Sequence, residues 1–372
     1  MFLAVQEMRR AKVRFGLLAG AVGLLVFLIL FQQALLGGLI NQFIGALKHQ
    51  SGDVLVYSDR ARKNLEASFV FPDQVGQVQQ LEGVAAASPL GEGTFTVLAD
   101  GKQQNAVIFG YELGQPGRPT NIVEGELPDR DDEAVASEKD RADGFDIGDK
   151  VQVMPDGVTV TIVGLARDSN FSVTPVLFVH YATYESAKKT KNPDAEFIVP
   201  SAIAVQVGPG HTAQEVADRI NEKVADVEAL TKQQAVDGAP GVSNVRSSFA
   251  VILLLFYLVV PLVTGLFFLI VTFQKASALT LLRAIGAKAS TLVVGLLVQV
   301  VAVMVAGSVV ASGLYALSLQ GVKNLGLHVE LQPILVTSAV VLALALLTSL
   351  VAVRRVLRID PLSATTGAGV HV

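Results

Sequence analysis

Chemistry at a metal or a nucleophile needs particular side chains at particular spacings, and this chain offers few. His49, His180, His211, His328 and His371 are scattered without the spacing of a zinc site. Cysteine is absent, which excludes thiolate metal ligands, thiol catalysis and a lipoprotein anchor. Asp129-Arg130-Asp131-Asp132-Glu133 has the charge to hold a cation, but Arg130 interrupts it and no EF-hand glycine follows. A solvated loop is the expectation there. No G-x-x-x-x-G-K-S/T phosphate loop occurs, so ATP hydrolysis by that route is excluded. Gly241-Val242-Ser243-Asn244-Val245 lacks the closing glycine of a nucleophile elbow. One segment has a different kind of chemistry. Leu279-Thr280-Leu281-Leu282-Arg283-Ala284-Ile285-Gly286-Ala287 is basic and helix-prone, and it lies between two long uncharged stretches. In that position it reads as a lever presented to something that pushes it.

The surrounding composition explains the setting. Hydrophobic residues make up 51% of the chain and charged ones 17%, against about a quarter charged in an ordinary soluble domain. Four uncharged runs stand out: Phe15–Leu47, Ser247–Gln274, Ala289–Val322 and Leu331–Val353. Each exceeds the roughly 20 residues that span hydrocarbon as a helix. No carboxylate or arginine lies inside them, which weakens a proton- or ion-coupled carrier. The expected fold class is a membrane α-helical protein of four transmembrane helices, with a large extracytoplasmic α+β domain inserted between helices 1 and 2.

Basic residues set the orientation. Arg9, Arg10, Lys12 and Arg14 precede the first run, Lys275, Arg283 and Lys288 fill the loop after the second, and Arg354, Arg355 and Arg358 follow the fourth. The positive-inside rule then places both termini and residues 275–288 in the cytoplasm and the inserted domain outside. From Lys48 to Arg246 there are 18 Lys/Arg against 30 Asp/Glu, so that domain is acidic. A cleaved signal peptide is disfavoured, because the first apolar run is too long and no A-x-A site closes it.

The expected organisation follows. Residues 1–14 form a cytoplasmic amphipathic elbow helix, and 15–47 form transmembrane helix 1 with an outer extension. Residues 48–246 form the outer α+β domain and 247–274 transmembrane helix 2. Residues 275–288 are the cytoplasmic coupling segment, 289–318 helix 3, 319–330 a short outer loop, 331–353 helix 4 and 354–372 a cytoplasmic tail. Within the outer domain, strands are predicted at Asp53–Tyr57, Thr94–Leu98, Asn105–Gly110, Lys150–Met154, Thr159–Leu165, Pro175–Val179 and Ala202–Val207. Helices are predicted over Phe71–Leu81 and Thr212–Leu230, the latter opened by a Thr212/Glu215 capping box. Gly238-Ala239-Pro240-Gly241 is the expected hinge back into the membrane, and Pro261 and Gly265 mark a kink in helix 2.

Several short motifs resemble those of the MacB/FtsX-type ABC transporter permeases. Arg283-Ala284-Ile285-Gly286-Ala287 is similar to that family's "LRA-hydrophobic-GA" segment, and Arg358-Ile359-Asp360-Pro361-Leu362-Ser363-Ala364 to its closing "R-x-D-P-x-x-A" element. Glu124-Gly125-Glu126-Leu127-Pro128, Asp132-Glu133-Ala134-Val135 and Gly148-Asp149-Lys150-Val151 follow the family's order in the outer domain. Ser277-Ala278 stands where the family often has an acidic residue, which leaves open which side chains meet the ATPase. The resemblance implies a permease that is not itself an enzyme, with ATP hydrolysed by a separate ABC ATPase dimer. It further implies a second copy of this chain and a lipid bilayer as partners, with no nucleic acid. The bacterial cytoplasmic membrane is the location it implies. Lys275, Leu282, Arg283, Ala284, Gly286 and Ala287 are the ATPase-coupling candidates.

Within the family, the lack of a fused ATPase domain and the Met1–Glu7 and Lys63-Asn64-Leu65 regions resemble the DevC- and HrtB-like permeases. HrtB-like members export haem, so the resemblance implies extrusion of a hydrophobic or amphipathic substrate, with haem favoured as cargo and no intrinsic cofactor. His49, Tyr57 and Tyr257 are then the substrate candidates. The alternative is an FtsX-like mechanotransmission subunit, which regulates an extracellular partner without transport.

Overall fold

The computed structural model describes residues 2–274, 281, 285–321 and 331–357. The chain divides into a membrane unit, Met1–Leu36 with Ser247–Val372, and a globular unit, Gly37–Arg246.

In the membrane unit, α1 (Phe2–Arg10) is a short helix that precedes α2 (Lys12–Lys48). α7 (Val242–Gln274), α8 (Ala289–Gly321) and α9 (Leu331–Leu357) complete it. Of these, α2, α7 and α8 are long and apolar enough to cross a bilayer. The described apolar stretch of α9, Ile334–Ser349, is shorter. Four spans were expected, and among the described residues three helices meet the length and apolarity of a span. Helices are the only open-chain solution in hydrocarbon, because every backbone N–H and C=O must find its partner within the segment. α2 runs 37 residues from Lys12 to Lys48, with a break inside it at Ile44, where φ is −142° and ψ is 20°. Gly23 of α2 meets Gly307 of α8 so closely that a Cβ on Gly23 would lie 2.9 Å from the Gly307 carbonyl oxygen. Small residues at such crossings let backbones approach without side chains between them. Gln299 of α8, itself buried, donates to the Glu7 carboxylate of α1 at 2.6 Å.

The globular unit is built on one ten-stranded sheet. Its strands are β1 (Val54–Ser58), β2 (Val84–Ala99), β3 (Lys102–Tyr111), β4 (Ile122–Gly125), β5 (Glu133–Ser137), β6 (Lys150–Val153), β7 (Thr159–Ala166), β8 (Val176–His180), β9 (Ala202–Val207) and β10 (Val227–Thr231). They run in the order β10-β1-β9-β2-β3-β8-β5-β7-β4, and β6 pairs with both β2 and β7. β2 is 16 residues long and serves two lobes. Its first half pairs with β9 and its second half with β3. Asp100 and Gly101, both with positive φ, turn β2 into β3, the two-residue hairpin loop that suits the sheet's twist.

One core lies where α3 (Pro72–Gln79) and α5 (Ala213–Lys223) bring Val75, Val78, Val216 and Ile220 against β1, β9 and β10. The other gathers Phe95, Val97, Ile108, Phe145, Ile162 and Leu177 with Tyr181 and Tyr184 of α4 (Tyr181–Lys191). The Thr212/Glu215 capping box starts α5, but the helix ends at Lys223. The rest of the expected helix is β10, because Val227–Thr231 find backbone partners along β1. The expected 238–241 hinge follows the short helix α6 (Lys232–Gly238), and α7 opens at Val242.

Gly91 and Gly110 face each other across β2 and β3, and the Tyr184 ring lies over both. A Cβ on either glycine would overlap that ring. The Tyr184 hydroxyl donates to the Glu92 carbonyl at 2.9 Å, so α4 is both packed and hydrogen-bonded onto this bare patch. Adding a methyl group there forces the ring out. Gly91→Ala is expected to cost about 1–3 kcal/mol, and Tyr184→Phe about 1 kcal/mol. Thermal unfolding of the full chain would check both values.

Candidate functional site

Two regions carry the candidate residues, and they belong to different units. The first is the coupling segment. Lys275, Leu282, Arg283 and Ala284 lie outside the described residues, as does the closing element 358–364. Ile285 donates its backbone N–H to the Leu281 carbonyl at 3.1 Å, the spacing of one helical turn. Gly286 follows with φ of +99° and open space where a Cβ would stand. Only glycine holds that conformation without strain, and a left-handed glycine is a common helix stop. Ala287 is half-buried, Lys288 is exposed, and α8 begins at Ala289. Leu281 and Ile285 are 64% and 79% exposed. Four residues apart on a helical turn, they share one face. The sequence candidates include Leu282, which lies outside the described residues, and do not include this pair. The signal was available in the i,i+4 spacing of two aliphatic residues ahead of a glycine stop.

The second region surrounds His49, the residue after α2. Its backbone N–H donates to the Gly45 carbonyl at 2.9 Å, and its carbonyl accepts from the Thr120 N–H and hydroxyl. Gly45 is tight against the Asp168 carbonyl, with no room for a Cβ. The same carbonyl lies 3.0 Å from His49 Nδ1. A carbonyl only accepts, so Nδ1 carries the proton and Nε2 holds the lone pair. Burial is the largest influence on this ring and holds its pKa below the ordinary 6.5, with the backbone hydrogen bond to Asp168 opposing. His49 is therefore a neutral imidazole whose ring is oriented by a backbone carbonyl, the arrangement that suits a ligating nitrogen.

The other two candidates sit differently. Tyr57 of β1 is fully buried and its hydroxyl has no partner among the described residues. Desolvation raises its pKa, with Glu228 adding to the effect. A ring with no exposed surface cannot line a substrate path, so Tyr57 is a core residue. Tyr257 of α7 is half-buried in the membrane unit, where its hydroxyl accepts from Gln33 Nε2 of α2 at 3.2 Å. A described groove of about 380 Å³ in that unit opens between α8 and α9, lined by Met304, Ser308, Ser312, Ser338 and aliphatic side chains.

Two further groups have surroundings that were not anticipated. The acidic loop is solvated as expected, with Arg130, Asp131 and Asp132 exposed, and it is also tied by side-chain bonds. Arg130 and the Asp129 N–H both bind Glu133, and Asp131 binds His180 Nδ1. His180 Nε2 lies 3.1 Å from Glu112, so carboxylates engage both ring nitrogens. Burial lowers the His180 pKa, but the hydrogen bonds to Asp131 and Glu112 together outweigh it and raise the pKa above its ordinary value. Glu92 of β2 is 3% exposed, and its Oε1 has no partner among the described residues. Burial pushes its carboxyl up to about 7, Glu66 adds to the shift, and Lys188 and Lys191 oppose it.

With the geometry set out, comparison with known proteins places the chain. Residues 16–223 match the family of MacB-like periplasmic core domains, and residues 250–361 match the FtsX-like permease C-terminal family. The chain belongs to the MacB/FtsX-type ABC permeases. It is similar to a permease of Staphylococcus epidermidis named for hemin transport, HrtB, at 21% identity over 369 residues and 99% of each chain. An uncharacterized ABC transporter permease of Mycobacterium tuberculosis is 24% identical over 369 residues, again 99% of each chain. The periplasmic region of MacB from Actinobacillus actinomycetemcomitans is similar at 12% identity and a TM-score of 0.35. That match covers 49% of this chain and 89% of the other.

Glu92 gives this MacB/FtsX-type permease a pH signature. Its folded pKa of about 7 lies above the ordinary 4.5, so between those values the folded form holds a proton that the unfolded chain has released. Stability therefore falls as pH rises from 4.5 to 7 and is level above that. Glu92→Gln keeps the shape and removes the charge. It is expected to raise stability by about 3 kcal/mol at pH 8 and to change little at pH 4, as chemical unfolding at the two pH values would check.

Proposed function

We propose that this permease extrudes a hydrophobic or amphipathic substrate from the membrane, with haem the specific candidate. A separate ATPase dimer drives two copies of the chain through residues 275–288. In this reading α9 is the fourth span, both termini are cytoplasmic and the globular unit lies outside. The observation that carries the cargo assignment is His49, a neutral, oriented imidazole with its Nε2 lone pair free of described partners. Full-length similarity to a permease named for hemin transport supports it. Leu281 and Ile285 supply the apolar face against the ATPase, with Gly286 ending the turn. Lys275, Leu282, Arg283, Ala284 and Ala287 remain part of that proposed contact.

A second reading has its own support. Phe69, Phe71 and Phe197 are exposed on the globular unit, and the Val70 N–H donates to the Pro200 carbonyl at 3.0 Å, so the segments bearing them run side by side. Exposed aromatic side chains of this kind suit a protein partner. They favour mechanotransmission to an extracellular partner without transport.

Haem titration of the permease–ATPase complex, followed by absorbance with ATP hydrolysis in parallel, separates the two. Export of haem requires a saturable Soret shift that is lost in His49→Ala, together with a changed ATPase rate. Without a shift, the cargo returns to lipids, peptides or drugs and the mechanotransmission reading gains. The docking face is checked separately. Ile285→Glu is expected to weaken binding of the ATPase by about tenfold or more, measured by co-purification and by the loss of permease-dependent ATPase stimulation.

A further inference from the structure

α7 has a weak point where its backbone loses a hydrogen bond. Pro261 lies inside the helix and has no N–H to give the Tyr257 carbonyl one turn earlier. Below that turn α7 is closely held by α9. A Cβ on Gly265 would be 3.3 Å from Thr348 Cβ, and the Thr348 hydroxyl lies 3.2 Å from the Pro261 carbonyl. Its single proton is shared with its own helix, since the Leu344 and Ala345 carbonyls are each 3.1 Å away.

Above the weak turn the ties are different, and they converge on α2. Gln33 Nε2 donates to the Tyr257 hydroxyl at 3.2 Å, and Gln33 Oε1 accepts from the Thr337 hydroxyl of α9 at 3.2 Å. One amide thus uses both ends to join α2, α7 and α9. Its neighbour Gln32 donates to the Phe249 carbonyl of α7 at 3.0 Å, two turns further along. Gln32 is buried, and its Oε1 has no partner among the described residues. Hydrocarbon offers these groups no water, so each bond counts in setting the helices' arrangement. Interhelical hydrogen bonds in membranes are nevertheless modest, each worth only about a threefold shift in an equilibrium. That suits a restraint that must give way under load better than it suits a fixed strut.

We propose that Gln33 is the positioning residue of a hinge in α7: it holds the helix at Tyr257, beside the backbone bond that Pro261 removes, and so sets how much of a push at the inner end of α7 reaches its outer end. When Gln33 holds both partners, the part of α7 above Pro261 moves with α2 and α9. When it lets go, α7 bends at the proline. The inference rests on the chain being a driven ABC permease and is independent of the cargo.

The test uses the chain's lack of cysteine, which lets spin labels be placed only where they are wanted. Leu254 of α7, above the proline, and Leu347 of α9, near Thr348, are both exposed. Each is replaced by cysteine and labelled in the full-length protein in lipid nanodiscs, and the distance distribution between them is measured. Gln33→Leu is expected to broaden the distribution, with the bent population rising about tenfold if both amide bonds are lost. Tyr257→Phe, a smaller change that removes one partner, should broaden it less. Pro261→Ala restores the backbone bond, and combined with Gln33→Leu it should narrow the distribution again. If the helices failed to assemble in Gln33→Leu, Tyr257→Phe and Thr337→Val, each removing one hydroxyl, would carry the same comparison. Unchanged distributions in those variants, or broadening that Pro261→Ala does not reverse, would overturn the proposal. Loss of haem binding or of ATPase docking would bear on cargo and coupling instead, and would leave these distances as the separate readout.

Discussion

The pairing of β1 with β10 is the contact on which the globular unit depends. Val54 opposes Thr231, Leu55 opposes Leu230, and the register continues to Ser58 and Val227. β1 is the first strand after α2, and β10 is the last before α6 and α7. The two helices that connect this unit to the membrane therefore feed adjacent, hydrogen-bonded strands. The junction is reinforced where it begins, since the Lys232 N–H donates to the Asp53 carbonyl at 2.9 Å and Lys232 Nζ to the Gln50 carbonyl at 3.2 Å. Any slip between β1 and β10 would have to break this ladder. Antiparallel pairs resist shear because a slip of one residue turns every side chain to the wrong face. Val54 and Val56 of β1 and Ala229 of β10 sit in the same core, so the register is fixed by burial as well as by backbone bonds.

Half-buried His49 and buried Glu92 show how an acidic domain handles charge that water barely reaches. Burial lowers the pKa of His49 and raises that of Glu92, and both shifts favour the neutral form. For the histidine this leaves a lone pair available. For the glutamate it leaves a proton held against an acidic background, with Glu66 as the nearest aggravating charge. His180 is the opposite case. Its two carboxylates make the cation the favoured form although desolvation opposes it, and the acidic loop is fastened by that charge.

Much of this was legible in the residues. The uncharged runs mark the long helices, because membrane helices are selected for the absence of charge. The Thr212/Glu215 capping box marks the start of α5, because both partners lie within one turn. What was not legible depends on distant partners. Val227–Thr231 reads as the tail of a helix and becomes a strand because β1 lies alongside. β2 extends far beyond Thr94–Leu98 because β9 offers partners to residues whose own alternation is weak. Tyr57 was a substrate candidate by resemblance, and only the sheet around it shows that it is core. Glu92 gave no local sign, since a glutamate between two glycines reads as a turn until a tyrosine from α4 covers the patch.

The close crossing of Gly23 and Gly307 has a mechanical consequence. Val310 of α8 packs over Gly23 and Val22 of α2 packs over Gly307, so each valine seats against the other helix's glycine and the crossing is a pinned pivot rather than a sliding contact. The crossing lies about 16 Å from the start of α2 and about 30 Å from the break at Ile44. A rod resting on such a bearing is a lever with unequal arms. A small tilt near Lys12 would become a swing about twice as large at Ile44, so α2 would gain travel and give up force.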